Sequence, residues 1–374
     1  MPPLRHLLSR IGEDALLVSL LLALPPLLWL APEQLARLHA LVDWKTIAAL
    51  AGLLVLSRGL EDSGYLGYAG RWLLAHVHGE RALAALLVLF AAALSAVVTN
   101  DVALFIVVPL TLALRNVADV PVGRLVIFQA LAVNAGSTLS PVGNPQNLFL
   151  WQSSPLSFVD FVLAMAPLGA GLLALLLALV PFAFPSARIE AGIRATPARP
   201  LHRALAISSL ALYPPFLLLT DLGLAPYAAP TVVFIYALAW RRVLVGVDWL
   251  LLAVFVLMFI DLGLLASVPA VRAFAGRIGE LPGGVFAAAV LLSQAISNVP
   301  AAIFLAGFSD DTRLLAWGVS VGGFGLAIGS LANLIALRLA RQRGLWKEFH
   351  CWSIPMLLVS VAAVMGWLAA SGRL

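Results

Sequence analysis

The sequence predicts an all-α polytopic membrane protein built from two inverted repeats. Three observations carry that expectation. The 374 residues are 62% hydrophobic and only 11% charged, with a mean hydropathy of +1.01, whereas soluble domains carry about 25% charged residues. Two long apolar segments, 82–114 and 281–309, are each interrupted by an asparagine. Four short stretches recur in the same order along the chain.

A helix crosses the hydrocarbon in roughly 20 residues. Eight segments meet that length: 15–31, 44–60, 159–184, 204–220, 224–240, 249–267, 314–337 and 351–371. The first has no small-residue cleavage pattern behind it, so it reads as a retained helix. A ninth span, 124–151, carries no charge from Leu125 to Trp151, but "NAGSTLSPVGNPQNL" has the glycines, prolines and amides of a loop; it is expected to be broken in the middle, as is 314–337 at its glycines. Segments 82–114 and 281–309 are too long for one helix and too short for two crossings. Each fits a re-entrant hairpin, interrupted at Asn100 or at Asn298-Val299-Pro300.

Positive charge tests the count, because cytoplasmic loops are enriched in Lys and Arg. With the N-terminus inside and both hairpins re-entrant, seventeen of the 23 basic residues fall inside and six outside: Arg37, Lys45, Arg272, Arg277, Arg313 and Arg373. That asymmetry supports nine spans with the C-terminus external. It also explains a pI near 9.9 without nucleic acid as a partner. The halves are expected at 1–184 and 204–374, joined by a cytoplasmic linker, 185–203, whose arginines meet anionic headgroups. His76 and His78, near Arg71 and Arg81, read as a solvated face rather than a metal site.

The repeat pairs "LVDWKTIAAL" with "GVDWLLLAVF", "VVTNDVALFIV" with "AISNVPAAIFL", "GNPQNLFL" with "GSLANLIA", and Pro167 with Pro355. On the charge-derived topology the two copies run in opposite directions. Inverted repeats with broken helices are a signature of secondary transporters, whose site lies near the midplane.

These residues carry a family resemblance. Thr99-Asn100-Asp101 and Ser297-Asn298-Val299-Pro300, each followed by a Gly-rich break with a G-x-x-x-N-L core, resemble the ion transporter superfamily in its ArsB/NhaD and citrate-permease-like anion-transporter branches. The resemblance covers roughly 41–370. It implies two inverted repeats, each with a re-entrant hairpin, in a scaffold that often dimerises and moves a transport domain by an elevator motion. Sodium-coupled carboxylate members carry Ser-Asn-Thr at the hairpin tips; here the first tip has Asp101 and the second Val299-Pro300.

The candidate substrate- and ion-binding residues are Thr99, Asn100, Asp101, Ser137, Thr138, Gly143, Asn144, Asn147, Ser297, Asn298, Gly329, Ser330 and Asn333. Asp101 is the strongest, since intramembrane carboxylates are costly and functional by default. Asp101 and Asp261 are the candidates for carrying a coupled proton, and a Na+ near Asn100 and Gly143 is the metal alternative. Blander readings stand beside these. Asp101, Asn100 and Asn298 could cap the second arm of each hairpin, 136–147 could be an ordinary loop, and the glycines around Gly329 could serve close packing.

Enzyme signatures are absent: there is no Walker loop, and no spacing joins a nucleophile to a base. The lone Cys351 excludes an intrachain disulfide, and no cofactor is implied. The expectation is a multi-pass inner (plasma) membrane protein working as a proton-coupled anion permease on a small ion substrate. The alternatives are a Na+/H+ antiporter and an arsenite or oxyanion efflux permease. A passive channel or an assembly subunit would leave the paired asparagines without purpose. No arginine is expected in the binding centre to clamp a carboxylate.

Overall fold

The computed structural model describes residues 15–74, 77, 79–114, 120–187 and 201–372; His76, His78, part of the proposed linker and Arg373 lie outside the described residues. The protein is an all-α membrane protein, with no β-strand among the described residues. Among the described residues five helices are long and apolar enough to cross a membrane, Glu80–Val97, Phe158–Ala183, Arg203–Asp221, Trp249–Ser267 and Leu345–Ala370, and a sixth if the bent pair Leu16–Leu30 and Pro32–Leu41 makes one span. Of the other expected spans, Ala15–Leu30 and Ala225–Ala239 are shorter, and Trp44–Asp62 carries Lys45, Arg58, Glu61 and Asp62 at its ends.

The helices used below are α1 (Ala15–Leu30), α2 (Trp44–Asp62), α3 (Tyr65–Leu74), α4 (Glu80–Val97), α5 (Asn100–Ala113), α6 (Val122–Ser137), α7 (Pro145–Gln152) and α8 (Phe158–Ala183). The second half supplies α9 (Arg203–Asp221), α10 (Ala225–Ala239), α11 (Trp249–Ser267), α12 (Gly284–Ile296), α13 (Asn298–Leu305), α14 (Thr312–Val321), α15 (Leu331–Ala340) and α16 (Leu345–Ala370). The short helix α3 was not expected from the apolar pattern, and α16 starts six residues before its expected 351.

Both interrupted segments form helix pairs. In the first, α4 and α5 meet at Val98-Thr99, whose extended backbone ends one helix before Asn100 opens the next. The arms of the second, 13 and 8 residues, rise about 20 and 12 Å, too little to cross a bilayer. The sequence placed that interruption at Asn298-Val299-Pro300; the structure moves it to Ser297. Ser297 has φ 75° and ψ 158°, outside the usual range for an L-residue. Asn298 and Pro300 lie inside the first turn of α13, where proline loses no hydrogen bond.

The expected breaks occur in 124–151 and 314–337. Pro141 lacks a donor and disfavours helical backbone at Ser140, so α6 ends at Ser137. Asn144 then caps α7, its Oδ1 accepting from Asn147 N at 2.9 Å, with Pro145 at the first helical position. The second break, between α14 and α15, contains Gly322, Gly323 and Gly325, the last at φ 91°, and a short 3-10 turn at Ala327–Gly329.

The two "DW" stretches adopt the same local structure. Asp43 caps α2 and Asp248 caps α11, while each following indole donates to a carbonyl five residues back: Trp44 to His39 O at 2.9 Å and Trp249 to Leu244 O at 2.8 Å. Around these starts the chain packs in two groups. Helices α9 and α10 pack on α2, and α1 on α11; the hairpins and broken helices pack on one another, α4 and α5 on α6, α12 on α14, and α15 on both α5 and α6. The groups meet where α11 touches α13 and α2 touches α7.

Candidate functional site

A cavity of about 870 Å³ lies where the two groups meet. One wall comes from Leu16 and from residues 245–258 around the start of α11; the other comes from Asn100 and Asp101, Pro145 and Gln146, 296–300, and Ile328 to Arg338. Both hairpin tips and the helices leaving both breaks therefore face one space.

Within the group of hairpins and broken helices, four helices of eight or more residues begin at this cavity, α5, α7, α13 and α15; α11 also begins there, from the opposite wall, with Asp248 at its cap position. Each of the four carries a partial positive charge at its first turn, and first-turn N–H groups not taken by the Asn144 cap or by Gly143 O are free to meet an anion. The blander capping reading of the asparagines does not fit. The residues at the cap positions are Thr99 and Ser297; Asn100 and Asn298 sit one place later, and neither side chain bonds its own helix end. Both are buried, with no side-chain hydrogen bond to another described residue. Asp101, half-buried in the first turn of α5, also faces the cavity without capping.

Ser297 and Ser330 also line the cavity, and the other candidates form the frame behind these groups. Asn100 N donates to Gly143 O at 2.8 Å, joining the first tip to the first break. Ser140 Oγ reinforces that join by donating to Ala96 O at 2.6 Å. Asn144 Nδ2 donates to Ser137 O and Oγ at 3.0 and 3.1 Å, and Asn147 Nδ2 to Ser137 O and Thr138 O at 3.3 and 3.2 Å. In the second break Asn333 Nδ2 donates to Gly323 O at 2.9 Å. The two asparagines thus bind equivalent carbonyls. Gly143 and Gly329 are required by close approach, since a Cβ would lie 2.5 Å from Ser95 O and 2.6 Å from Gly322 O respectively. Gly143→Ala is expected to cost about 1–3 kcal/mol by forcing the break off the hairpin, measurable as a lower melting temperature in detergent.

Asp261 is not brought to the site. It is buried on α11, one turn beyond the cavity residue Met258, and neither carboxylate oxygen has a partner among the described residues. The absence of arginine expected from the sequence is corrected: Arg338, exposed in the last turn of α15, lines the cavity, as does Asp248 from the opposite wall. The sequence reading also missed Gln146 in the lining and two amides behind it. Gln294 clamps the second break, donating to Gly322 O at 2.7 Å and Phe324 O at 3.1 Å while accepting from Leu326 N at 2.8 Å. Asn134 bonds Asn333 and Ser330 across the two breaks. The available signal was an amide inside an otherwise apolar span.

No group of three or more His, Cys, Asp or Glu side chains suited to a metal occurs among the described residues. Near the Na+ position suggested at Asn100 and Gly143, the Gly143 carbonyl accepts from Asn100 N, and Thr99 Oγ1 is buried without a partner among the described residues.

Comparisons with known proteins accord with this geometry. The chain is 46% identical over 332 residues to inner membrane protein YbiR of Escherichia coli (strain K12), covering 88% of each chain. It is 34% identical over 306 residues to the uncharacterized transporter MJ0456 of Methanocaldococcus jannaschii, covering 80% of this chain and 82% of the relative. It is 30% identical over 129 residues to silicon efflux transporter LSI3 of Oryza sativa subsp. japonica, covering 34% of this chain and 27% of that protein. The family model for the citrate transporter, CitMHS, matches residues 9–322, which include both hairpins and the first break. The chain is a membrane transporter, not an enzyme, and belongs to the citrate transporter (CitMHS) family.

Proposed function

We propose that the protein is a secondary active transporter that moves a small anion coupled to protons, by an elevator-type motion of the hairpins and broken helices against the α1, α2, α9–α11 group. The observation that carries this reading is the single cavity faced by both tips and by four helix starts. The N-terminal ends attract the anion, Asn100 and Asn298 offer it unused amides, and Asp101 supplies a carboxylate for the proton. The repeated "DW" geometry and the matched Asn147 and Asn333 bonds support two inverted repeats, split at 185–203. A homodimer belongs to the same reading and is tested by subunit counting in nanodiscs.

The charge-derived orientation puts the N-terminus inside the cell and the C-terminus outside. In that frame the cavity opens inward, since Leu16, Asp248 and Arg338 lie at cytoplasmic helix ends. Ser186→Cys should therefore react with an impermeant thiol reagent only after the membrane is opened. Reaction in sealed cells would reverse the orientation.

Saturable counterflow in proteoliposomes against a panel of carboxylates and inorganic oxyanions tests the function. Transport of at least one anion is expected; unsaturable flux would indicate a channel instead. A second reading is efflux of arsenite or an oxyanion; the similarity to the rice silicon efflux transporter favours the efflux direction. A Na+/H+ antiporter, with Asp101 exchanging a proton for a cation near Asn100 and Gly143, predicts sodium-driven proton movement without any anion.

A further inference from the structure

We propose that Asn134 is a positioning residue that locks the second break against the first broken helix, and that the corresponding contact on the other side is left open. One part of the cavity wall is then fixed and the other compliant. The proposal rests on the cavity being the transport site.

Asn134 lies three residues before the end of α6 and is buried. Its Nδ2 donates to Asn333 Oδ1 at 2.8 Å and reaches Gly323 O at 3.4 Å, while its Oδ1 accepts from Ser330 Oγ at 2.9 Å. Asn333 in turn donates to Gly323 O. Both ends of the second break are thereby tied, through one side chain, to the other half of the chain. Ser330 stands at the cap position of α15 but makes no cap bond, because its hydroxyl is directed to Asn134. Ser330 and the neighbouring Ile328 line the cavity, so the lock bears on the shape of that wall. Removing the Asn134 amide would leave Asn333 Oδ1 and Ser330 Oγ buried without partners, a loss larger than that of one ordinary hydrogen bond.

The repeat supplies the comparison. The register that pairs Gly143 with Gly329 and Asn147 with Asn333 pairs Asn134 with Ser320. Ser320 sits on α14, which packs on α7, the helix of Asn147. A mirror-image lock would join Ser320 to Asn147, yet Ser320 Oγ and Asn147 Oδ1 are both buried with no partner among the described residues. Serine lacks the amide with which Asn134 reaches its partner. The wall beside Pro145 and Gln146 therefore lacks the tie to the other half of the chain that holds the wall beside Ile328 and Ser330.

Hydrogen exchange on the full-length protein in nanodiscs tests this at both breaks. Asn134→Ser should accelerate exchange in 322–333 about tenfold while leaving 138–147 within about twofold. Ser320→Asn supplies the missing amide and should slow 138–147 about threefold with little change in 322–333. Reaction of Ile328→Cys with an anionic methanethiosulfonate, in a Cys351→Ala background, reads the wall itself. Asn134→Ser should change that rate about threefold, and Ser320→Asn should not. Unchanged exchange in 322–333, or equal acceleration of both breaks, would overturn the lock. Should Asn134→Ser fail to fold, Ser320→Asn decides: no slowing of 138–147 overturns the proposal. None of these readouts needs a transported substrate, so they stand apart from the counterflow assay that tests the site.

Discussion

Asp101→Asn is expected to abolish pH-driven accumulation while substrate-for-substrate exchange persists. The variant keeps the shape and a hydrogen-bonding head at the first turn of α5, where the native carboxylate faces the cavity, but it has no proton to release. Net transport requires the emptied carrier to return in the other protonation state; exchange does not, because a loaded carrier makes both crossings. Both modes are measured in the same proteoliposomes. Unchanged pH-driven accumulation would remove Asp101 from coupling and shift the role to Asp261, whose two unpartnered oxygens lie one turn beyond the cavity.

Asn100→Ala and Asn298→Ala are each expected to lower transport at least tenfold with little change in melting temperature. Neither amide caps a helix or bonds another described residue, so truncation removes no interaction that holds the fold. An amide that hydrogen-bonds a charged ligand contributes about 1.5–3 kcal/mol, or roughly one to two decades in affinity. Asn333→Ala should behave oppositely, because it loses the bonds to Gly323 O and Asn134. There, melting temperature should fall together with transport. Equal losses of stability and transport at Asn100 and Asn298 would return them to a structural role.

Most of the element order was legible because membrane solvent imposes a simple rule: apolar length makes a helix, and a polar interruption at depth needs a reason. Asn100, Pro141 with Pro145, and the glycines near Gly323 marked three of the four interruptions to within a few residues. The fourth fell one residue before Asn298-Val299-Pro300, which fits a first turn, while Ser297 bends through a backbone conformation that no residue type signals. The tips were legible as candidates for the same reason that Asp101 was, namely the cost of polar groups in hydrocarbon. The frame was not. Asn134, Gln294 and Gln146 act through contacts with residues far along the chain, and Arg338 enters the cavity only because α15 starts at the break and carries its last turn along the wall. Spacing along one helix does not encode such meetings.

The central claim is tested most directly by imposing pH and sodium gradients separately on proteoliposomes containing the purified protein, with uptake measured for a panel of carboxylates and inorganic oxyanions. The account predicts that a pH gradient alone drives accumulation of at least one anion above equilibrium, and that a sodium gradient alone does not. Accumulation driven by sodium alone, or proton movement driven by sodium with no anion present, would contradict it.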